Sequence, residues 1–204
     1  MEYIKINTIQ NRDVKGKIVL DSVSKPHFNN IKQWHATEKI DGTNIRIDCD
    51  IGSGYEIKGK TDNAELHPNL IDGIHNCFPD DGLINEVFLK ASKVVLYGEG
   101  YGPKVNGGGK YRKDHSFILF DVLIDNKWWL DYSKIKDIAE KLSIDVVPSL
   151  GFMTLEEAIS FVRTSPKSLI ADCMMEGLVL APEPIMLFND GTPIKTKVKV
   201  RDYK

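Results

Sequence analysis

The stretch EKIDGTN, residues 38–44, places Lys39 two residues before the turn signal Asp41-Gly42. Residues 44–48 (NIRID) follow at once and alternate between polar and apolar side chains. Such alternation is typical of a half-buried β-strand, and an Asp-Gly pair favours a tight turn. By itself, a lysine before a turn is most simply an exposed surface residue. Any further meaning of Lys39 depends on the motifs that accompany it along the chain.

The pattern of apolar residues predicts an α+β chain of antiparallel hairpins with a few helices packed outside them. The first hairpin joins 44–48 to 55–58 through a glycine turn, and further strands are predicted at 93–98, 116–123, 128–130, 177–180 and 194–201. Helices are predicted over 68–91 in two pieces broken near 79–82, over 135–142, and after the capping box that begins at Thr154. Residues 1–36 are patterned too weakly for assignment, and the glycine- and lysine-rich segment 100–113 is expected to be a mobile loop.

Length and composition favour one domain, or one domain with a small appendage, with a substantial core, and we assign residues 1–204 to a single domain. The chain is 42% hydrophobic and its formal net charge of -2 is not the signature of a nucleic-acid coat or a membrane-surface protein. Three widely spaced cysteines without a C-x-x-C pair favour a reducing compartment and argue against a cysteine zinc site. The sequence has neither the apolar segment of a signal peptide nor an apolar run long enough for a membrane helix. We therefore expect a cytoplasmic protein.

Five later stretches follow EKIDGTN in order, each on or at the end of a predicted strand. They are KGKTDNA (58–64), YGEGYG (97–102), FILFD (117–121), EGLV (176–179) and KVK (197–199). This ordered series resembles the nucleotidyltransferase motifs of covalent ligases and mRNA capping enzymes. It is most similar to the ATP-dependent RNA ligase family, in its double-strand-sealing branch, over about residues 36–202. The resemblance implies the nucleotidyltransferase (ligase adenylation domain) fold, which resembles the ATP-grasp-like core of DNA and RNA ligases.

The resemblance makes Lys39 the catalytic nucleophile. A lysine amine can attack the α-phosphate of ATP and form a covalent phosphoramidate with AMP, which divides one difficult transfer into easier ones. Displacement at phosphorus is mainly a task of positioning and charge neutralisation, which lysines, carboxylates around a metal ion and a stacking ring can perform. ATP and either Mg²⁺ or Mn²⁺ are the cofactors that the resemblance implies.

Residues around Lys39 receive roles from the same resemblance. Asp41 would fix the approach of the lysine, and Gly42 would allow the tight turn. Thr43 and Asn44 would lie near the phosphates or the nucleic-acid end. Glu38 matches a position near the edge of the adenine.

Two glutamates match positions close to the metal ion. Glu99 matches the glutamate that binds the ribose or a hydrated metal, and Glu176 matches the glutamate near the catalytic metal; both would hold the ion through water. The implied nucleotide-binding residues are Glu38, Ile40, Asp41, Gly42, Asn44, Lys60, Glu99, Phe120, Glu176, Lys197 and Lys199.

Phe120 matches the aromatic residue that stacks on adenine. The run Phe117-Ile118-Leu119-Phe120 is also typical of a strand buried in the hydrophobic core, so Phe120 has a purely structural interpretation as well. Alternation places Phe117 and Leu119 on one face of the strand and Ile118 and Phe120 on the other. Lys60 is a departure, because the family usually has an arginine there that contacts phosphate or ribose. A lysine is a point charge without the bidentate fork of a guanidinium.

The final motif has two registers. Alternation from residue 195 places Lys195, Lys197, Lys199 and Arg201 on one face of a strand, with Val198 turned to the core. We assign Lys197 and Lys199 to the motif, and a shift to Lys195 and Lys197 is the main alternative. A solvated edge strand protected by lysines would show the same pattern.

The resemblance implies an ATP-dependent polynucleotide ligase, most simply an RNA ligase, that joins 5′-phosphate and 3′-hydroxyl ends and serves in RNA repair. The rivals of the same class are a DNA ligase and a capping guanylyltransferase. A non-catalytic nucleotide- or nucleic-acid-binding module is the rival of another class. The resemblance implies nucleic acid as the partner, in the form of RNA ends or nicked duplexes. Larger relatives carry a C-terminal accessory domain, and we expect none in residues 1–204. Sealing of ends is therefore expected to be weak, limited to nicked duplexes, or dependent on a partner protein or domain that supplies extra nucleic-acid binding.

Overall fold

Two mainly antiparallel sheets organise the computed structural model, which describes residues 1–78 and 80–204. Its strands are β1 (Asn7–Thr8), β2 (Trp34–Lys39), β3 (Thr43–Asp50), β4 (Gly54–Gly59), β5 (Lys93–Tyr101), β6 (Ser116–Ile124), β7 (Trp128–Trp129), β8 (Asp145–Val146), β9 (Ser149–Met153), β10 (Gly177–Ala181) and β11 (Thr196–Lys199). Its α-helices are α1 (Pro68–Cys77), α2 (Asp81–Val87), α3 (Tyr132–Leu142) and α4 (Leu155–Arg163). The predicted α+β class with antiparallel sheets and flanking helices is confirmed.

The chain divides into two units, each with its own sheet. One unit is Met1–Tyr3 with Ile40–Val147, and the other is Ile4–Lys39 with Pro148–Lys204. The chain therefore passes from one unit to the other directly after Lys39. The prediction of a single nucleotidyltransferase domain over residues 1–204 stays a prediction.

The Ile40–Val147 unit contains the strand order β4-β3-β5-β6-β7, with β8 added in parallel to β6. Alternation along β3 sends Ile45, Ile47 and Cys49 into a core that also receives α1, α2 and α3. The predicted hairpin over 44–58 and both pieces of the 68–91 helix are confirmed. Of the predicted helix break at 79–82, residue 79 lies outside the described residues, and Asp80 caps α2 by accepting from the Leu83 N–H.

The Ile4–Lys39 and Pro148–Lys204 unit contains the strand order β1-β11-β10-β2-β9. EKIDGTN leads from one sheet to the other, because β2 pairs with β9 and β10 whereas β3 pairs with β4 and β5. The structure shortens the strand predicted at 194–201, since Val200–Tyr203 form a 3-10 turn. Arg201 therefore does not belong to the row of strand lysines.

Helix α4 packs on this second sheet through Leu155, Ala158 and Val162. It begins with the predicted capping box, in which the Glu157 N–H donates to the Thr154 hydroxyl at 3.1 Å and the Thr154 N–H donates to the Glu157 carboxylate at 2.7 Å. Within residues 1–78 and 80–204, none of the helices has the length and apolar character needed to cross a bilayer.

We expect Thr154→Ala to lower the free energy of unfolding by about 1 kcal/mol, because it leaves a helix N–H without its acceptor. Urea unfolding followed by circular dichroism measures the change. Thr154→Ser is the matched control, since it keeps the hydroxyl and should remain close to the parent protein. Equal stability of the alanine variant and the parent would contradict the role of the capping box.

Candidate active site

Three strand ends bring Lys39, Glu176 and Lys199 together. Lys39 ends β2, Lys199 ends β11, and both are register partners of Gly177, the first residue of β10. Glu176 precedes that strand, and its Oε2 lies 2.6 Å from the Lys39 Nζ while its Oε1 lies 2.7 Å from the Lys199 Nζ. The three side chains are only 11–20% exposed, so the two ammonium groups share one largely desolvated carboxylate.

Gly177 makes this convergence possible. A Cβ atom at this position would lie 2.0 Å from the Val198 carbonyl oxygen, far inside van der Waals contact. Only a glycine lets β10 and β11 approach this closely directly after Glu176. The Glu-Gly pair of the motif is thus explained by backbone packing as well as by its charge.

The lysines of β11 occupy the face that alternation predicts. Thr196 and Val198 are buried, whereas Lys197 and Lys199 are half-buried on the opposite face. Lys195 is buried and precedes the strand. Because Lys199 contacts Glu176, the geometry favours the pair Lys197 and Lys199 over the pair Lys195 and Lys197, and the assignment of the motif stays a prediction.

Glu38 is a buried carboxylate with one oxygen that has no hydrogen-bond partner. It is 1% exposed, and its Oε2 accepts from the Leu169 N–H at 2.8 Å. Its Oε1 is buried and has no hydrogen-bond partner. A buried acceptor without a partner costs stability, so such atoms are often kept for a ligand. The amino group of a nucleobase is one donor that would satisfy it.

In the other unit, Gly42 is held against β5. Its N–H donates to the Glu99 Oε1 at 3.1 Å, and a Cβ atom on Gly42 would lie 2.3 Å from the Gly100 carbonyl oxygen. The glycine is therefore required by a close approach of two backbones. It also holds one oxygen of Glu99, which was predicted to bind ribose or a hydrated metal.

The glycine- and lysine-rich segment packs on residues 41–42. The Asn106 amide donates to the Gly42 carbonyl at 2.6 Å, the Lys110 Nζ lies 3.3 Å from Asp41, and the Asp41 N–H donates to the Tyr111 hydroxyl at 3.3 Å. These contacts hold the bend formed by Asp41 and Gly42, directly before β3. The predicted mobility of the segment stays a prediction.

The polar face of β3 continues from Asn44 through Arg46 to Asp48. Arg46 is only 2% exposed and pairs with Asp62, which lies in the loop that follows β4 and Lys60. Asn44 Oδ1, Arg46 Nε and Asp48 Oδ1 are buried without a hydrogen-bond partner. Sequence reasoning missed Arg46, although the alternation that begins at Asn44 was sufficient to place it on this face.

The remaining predicted residues fall in the same unit. Phe117 and Leu119 enter the core as predicted, and Phe120 is half-buried on the opposite side of β6. Ile40 is 3% exposed and packs as an apolar residue, and Lys60 is exposed just beyond β4. Their roles toward a nucleotide stay predictions.

Within residues 1–78 and 80–204, no cluster of three or more His, Cys, Asp or Glu side chains has the geometry to hold a metal ion. Both oxygens of Glu176 already accept from ammonium groups, but a carboxylate has about four lone-pair sites and can also accept from a metal-bound water. Glu176 therefore fits an ion that is held chiefly by phosphate and water, which is the usual mode for Mg²⁺. Glu99, in the other unit, uses its Oε1 as the acceptor for the Gly42 N–H, and its predicted role toward a metal stays a prediction.

The comparisons with known proteins agree with this fold. The family model described as RNA ligase matches residues 32–199, so the chain belongs to the RNA ligase family. None of the curated protein sequences matches the chain.

Solved structures of an RNA ligase from Naegleria gruberi share the fold. The ligase with PPi is 18% identical, with a TM-score of 0.65 and coverage of 98% of this chain and 62% of that chain. A variant with ATP and Mn is 17% identical, with a TM-score of 0.68 and coverage of 98% and 56%. A variant with AMP and Mn is 17% identical, with a TM-score of 0.67 and coverage of 98% and 62%. The chain thus spans about three-fifths of the length of these ligases.

We expect Glu176→Gln to lower the free energy of unfolding by about 1–3 kcal/mol, because the amide keeps one acceptor for a lysine but turns a donor toward the other. Chemical denaturation at low salt measures it, and added salt should reduce the difference. Asp172→Asn is the matched control, because its pair with Lys167 has side chains that are 74–87% exposed and should change stability by less than about 0.5 kcal/mol. Equal losses in both variants would contradict a special role for Glu176.

Proposed function

We propose that the chain is the catalytic part of an ATP-dependent RNA ligase that works through a covalent Lys39–AMP intermediate. The observation that carries the proposal is the geometry of Lys39, whose amine is held by Glu176 beside Lys199 at the ends of three strands. Membership of the RNA ligase family and the ATP, AMP and PPi in the solved relatives support the choice of nucleotide and of RNA.

The chemistry proceeds in three displacements at phosphorus. The Lys39 Nζ attacks the α-phosphorus of ATP, the P–N bond forms, the bond to pyrophosphate breaks, and the amine loses a proton. A 5′-phosphate oxygen of the nucleic acid then attacks the AMP phosphorus and releases Lys39. Finally a 3′-hydroxyl attacks the activated 5′-phosphate, the phosphodiester forms, and AMP leaves.

The residues of the chain have distinct tasks in these steps. Glu176 lies within hydrogen-bond distance of the Lys39 Nζ and is placed to hold the amine and to accept its proton. Lys197 and Lys199 neutralise phosphate charge. Glu38 accepts a hydrogen bond from the base through the oxygen that lacks a partner.

A bound Mg²⁺ or Mn²⁺ would neutralise phosphate charge, with Glu99 and Glu176 contacting it through water. Asp41, Gly42, Asn44 and Lys60 belong to the same proposal as contacts of the phosphates or the nucleic-acid end. Phe120 is the ring on which the base stacks, an interaction worth about 1–3 kcal/mol.

The biological setting is also part of the proposal. Three widely spaced cysteines support a reducing compartment, and we propose a cytoplasmic enzyme of RNA repair. Affinity for nucleic acid grows with the number of phosphate contacts, and the net charge of -2 supports additional binding by a partner protein or a further domain.

We expect the protein to retain ³²P when it is incubated with α-labelled ATP and Mg²⁺ or Mn²⁺, and Lys39→Ala to abolish retention. Denaturing gel electrophoresis measures the covalent label, and added pyrophosphate should remove it by reversing the first step. Lys134→Ala, at a lysine that is 69% exposed on α3, is the matched control and should retain the label. Retention by the Lys39 variant would show that another group is the nucleophile.

A substrate panel separates the rival functions. AMP-bound protein should seal nicked RNA duplexes faster than nicked DNA or single strands, with products scored on a denaturing gel. Preferential labelling by GTP would indicate a capping enzyme, and faster sealing of nicked DNA would indicate a DNA ligase. Binding of RNA without any covalent nucleotide would indicate a non-catalytic module.

A further inference from the structure

The first three residues of the chain form an N-terminal strap, Met1–Tyr3, on the Ile40–Val147 unit. The units divide directly after the strap, because Ile4 belongs to the other one. The Tyr97 hydroxyl donates to the Met1 carbonyl at 2.7 Å, and the Asp62 N–H donates to Glu2 Oε1 at 3.2 Å. The strap is therefore fixed both to β5 and to the loop that follows Lys60.

Tyr3 is the most deeply fixed residue of the strap. It is 8% exposed, and its hydroxyl donates to the buried carboxylate of Asp121. Its ring centroid lies 5.1 Å from that of Phe120 and 4.9 Å from that of Tyr97. Burial, and secondarily the charge of Asp121, raises the pKa of Tyr3 well above its usual value, so the hydroxyl remains a donor at neutral pH.

The ring contact with Tyr3 supports Phe120 at an irregular position of β6. Tyr97 pairs with Asp121 and Gly98 pairs with Leu119, so Phe120 is an extra residue in the strand, at a β-bulge. A bulge re-aims side chains and leaves the extra residue without a partner across the ladder. The ladder therefore does not fix the Phe120 ring as it fixes its neighbours, and the Tyr3 ring supplies a wall for it.

We propose that Tyr3 is a positioning residue that fixes the Phe120 ring for stacking on the nucleotide base. This inference rests on the proposed function, in which Phe120 carries the base. Tyr3 acts through Phe120 and Asp121, and it touches neither the phosphates nor Lys39 in the reaction. Its loss should therefore weaken ligands that contain a base and spare those that contain only phosphate.

The test is the kinetics of the first step in Tyr3 variants. For Tyr3→Ala we expect the KM for ATP in Lys39 labelling to rise about tenfold, because part of the stacking contact is lost. The rate at saturating ATP should stay within about twofold, since the reacting groups are unchanged. The KM for pyrophosphate in the reverse reaction should also be unchanged, because pyrophosphate has no base. Tyr3→Phe keeps the ring and should restore the KM for ATP to within about threefold.

Two further variants separate positioning from general packing. Trp129→Leu is the matched control, because Trp129 stacks on Tyr97 in the same aromatic cluster and should lower stability without raising the KM for ATP. If Tyr3→Ala does not fold, Tyr3→Leu keeps an apolar side chain in the space without an aromatic wall, and it should show the same rise in KM.

The outcomes distinguish this inference from the proposed function. Absence of labelling in the parent protein would overturn both. Normal labelling of the parent with an unchanged KM for ATP in the Tyr3 variants would overturn the positioning role alone. The same holds if Trp129→Leu raises the KM as much as Tyr3→Ala, or if the KM for pyrophosphate rises in parallel with that for ATP.

Discussion

The carboxylate of Glu176, shared by the ammonium groups of Lys39 and Lys199, is the interaction on which the candidate site depends. Glu176 and Lys39 are 137 residues apart in sequence, yet their charged atoms lie 2.6 Å apart. Two half-buried cations at adjacent strand ends would repel each other without an anion between them. The register of β2, β10 and β11 and the absence of a side chain at Gly177 hold that anion in place.

Much of the fold follows from local signals that the sequence carries in full. The alternation after Asn44 predicts β3, and the capping box at Thr154 predicts the start of α4, because both signals are complete within a few residues. The separation of Phe117 and Leu119 from Phe120 follows equally from the period of a strand. These elements could be predicted because their pattern does not depend on which distant segments they meet.

Other features could not be predicted, since tertiary contacts create them. The strand that carries Lys39, β2, alternates only over its first four residues and then ends in the charged pair Glu38-Lys39, so its pairing with β9 and β10 comes from distant segments. The contact of Tyr3 with Asp121 joins residues 118 apart. The row of strand lysines ends at Lys199 because the chain turns there into a 3-10 helix, a change that alternation cannot signal.

Some buried polar atoms of this chain have no hydrogen-bond partner, which lowers the stability of the fold. Stability alone would favour a partner for Glu38 Oε1 and Asn44 Oδ1, because an unsatisfied buried acceptor costs about 1–3 kcal/mol. Both residues belong to EKIDGTN, the same short stretch that supplies the nucleophile. Proteins that otherwise pair their buried polar atoms tend to leave one unpaired where a ligand binds. The unmet acceptor of Glu38 therefore marks this residue as a candidate ligand contact on grounds of burial and geometry rather than of resemblance.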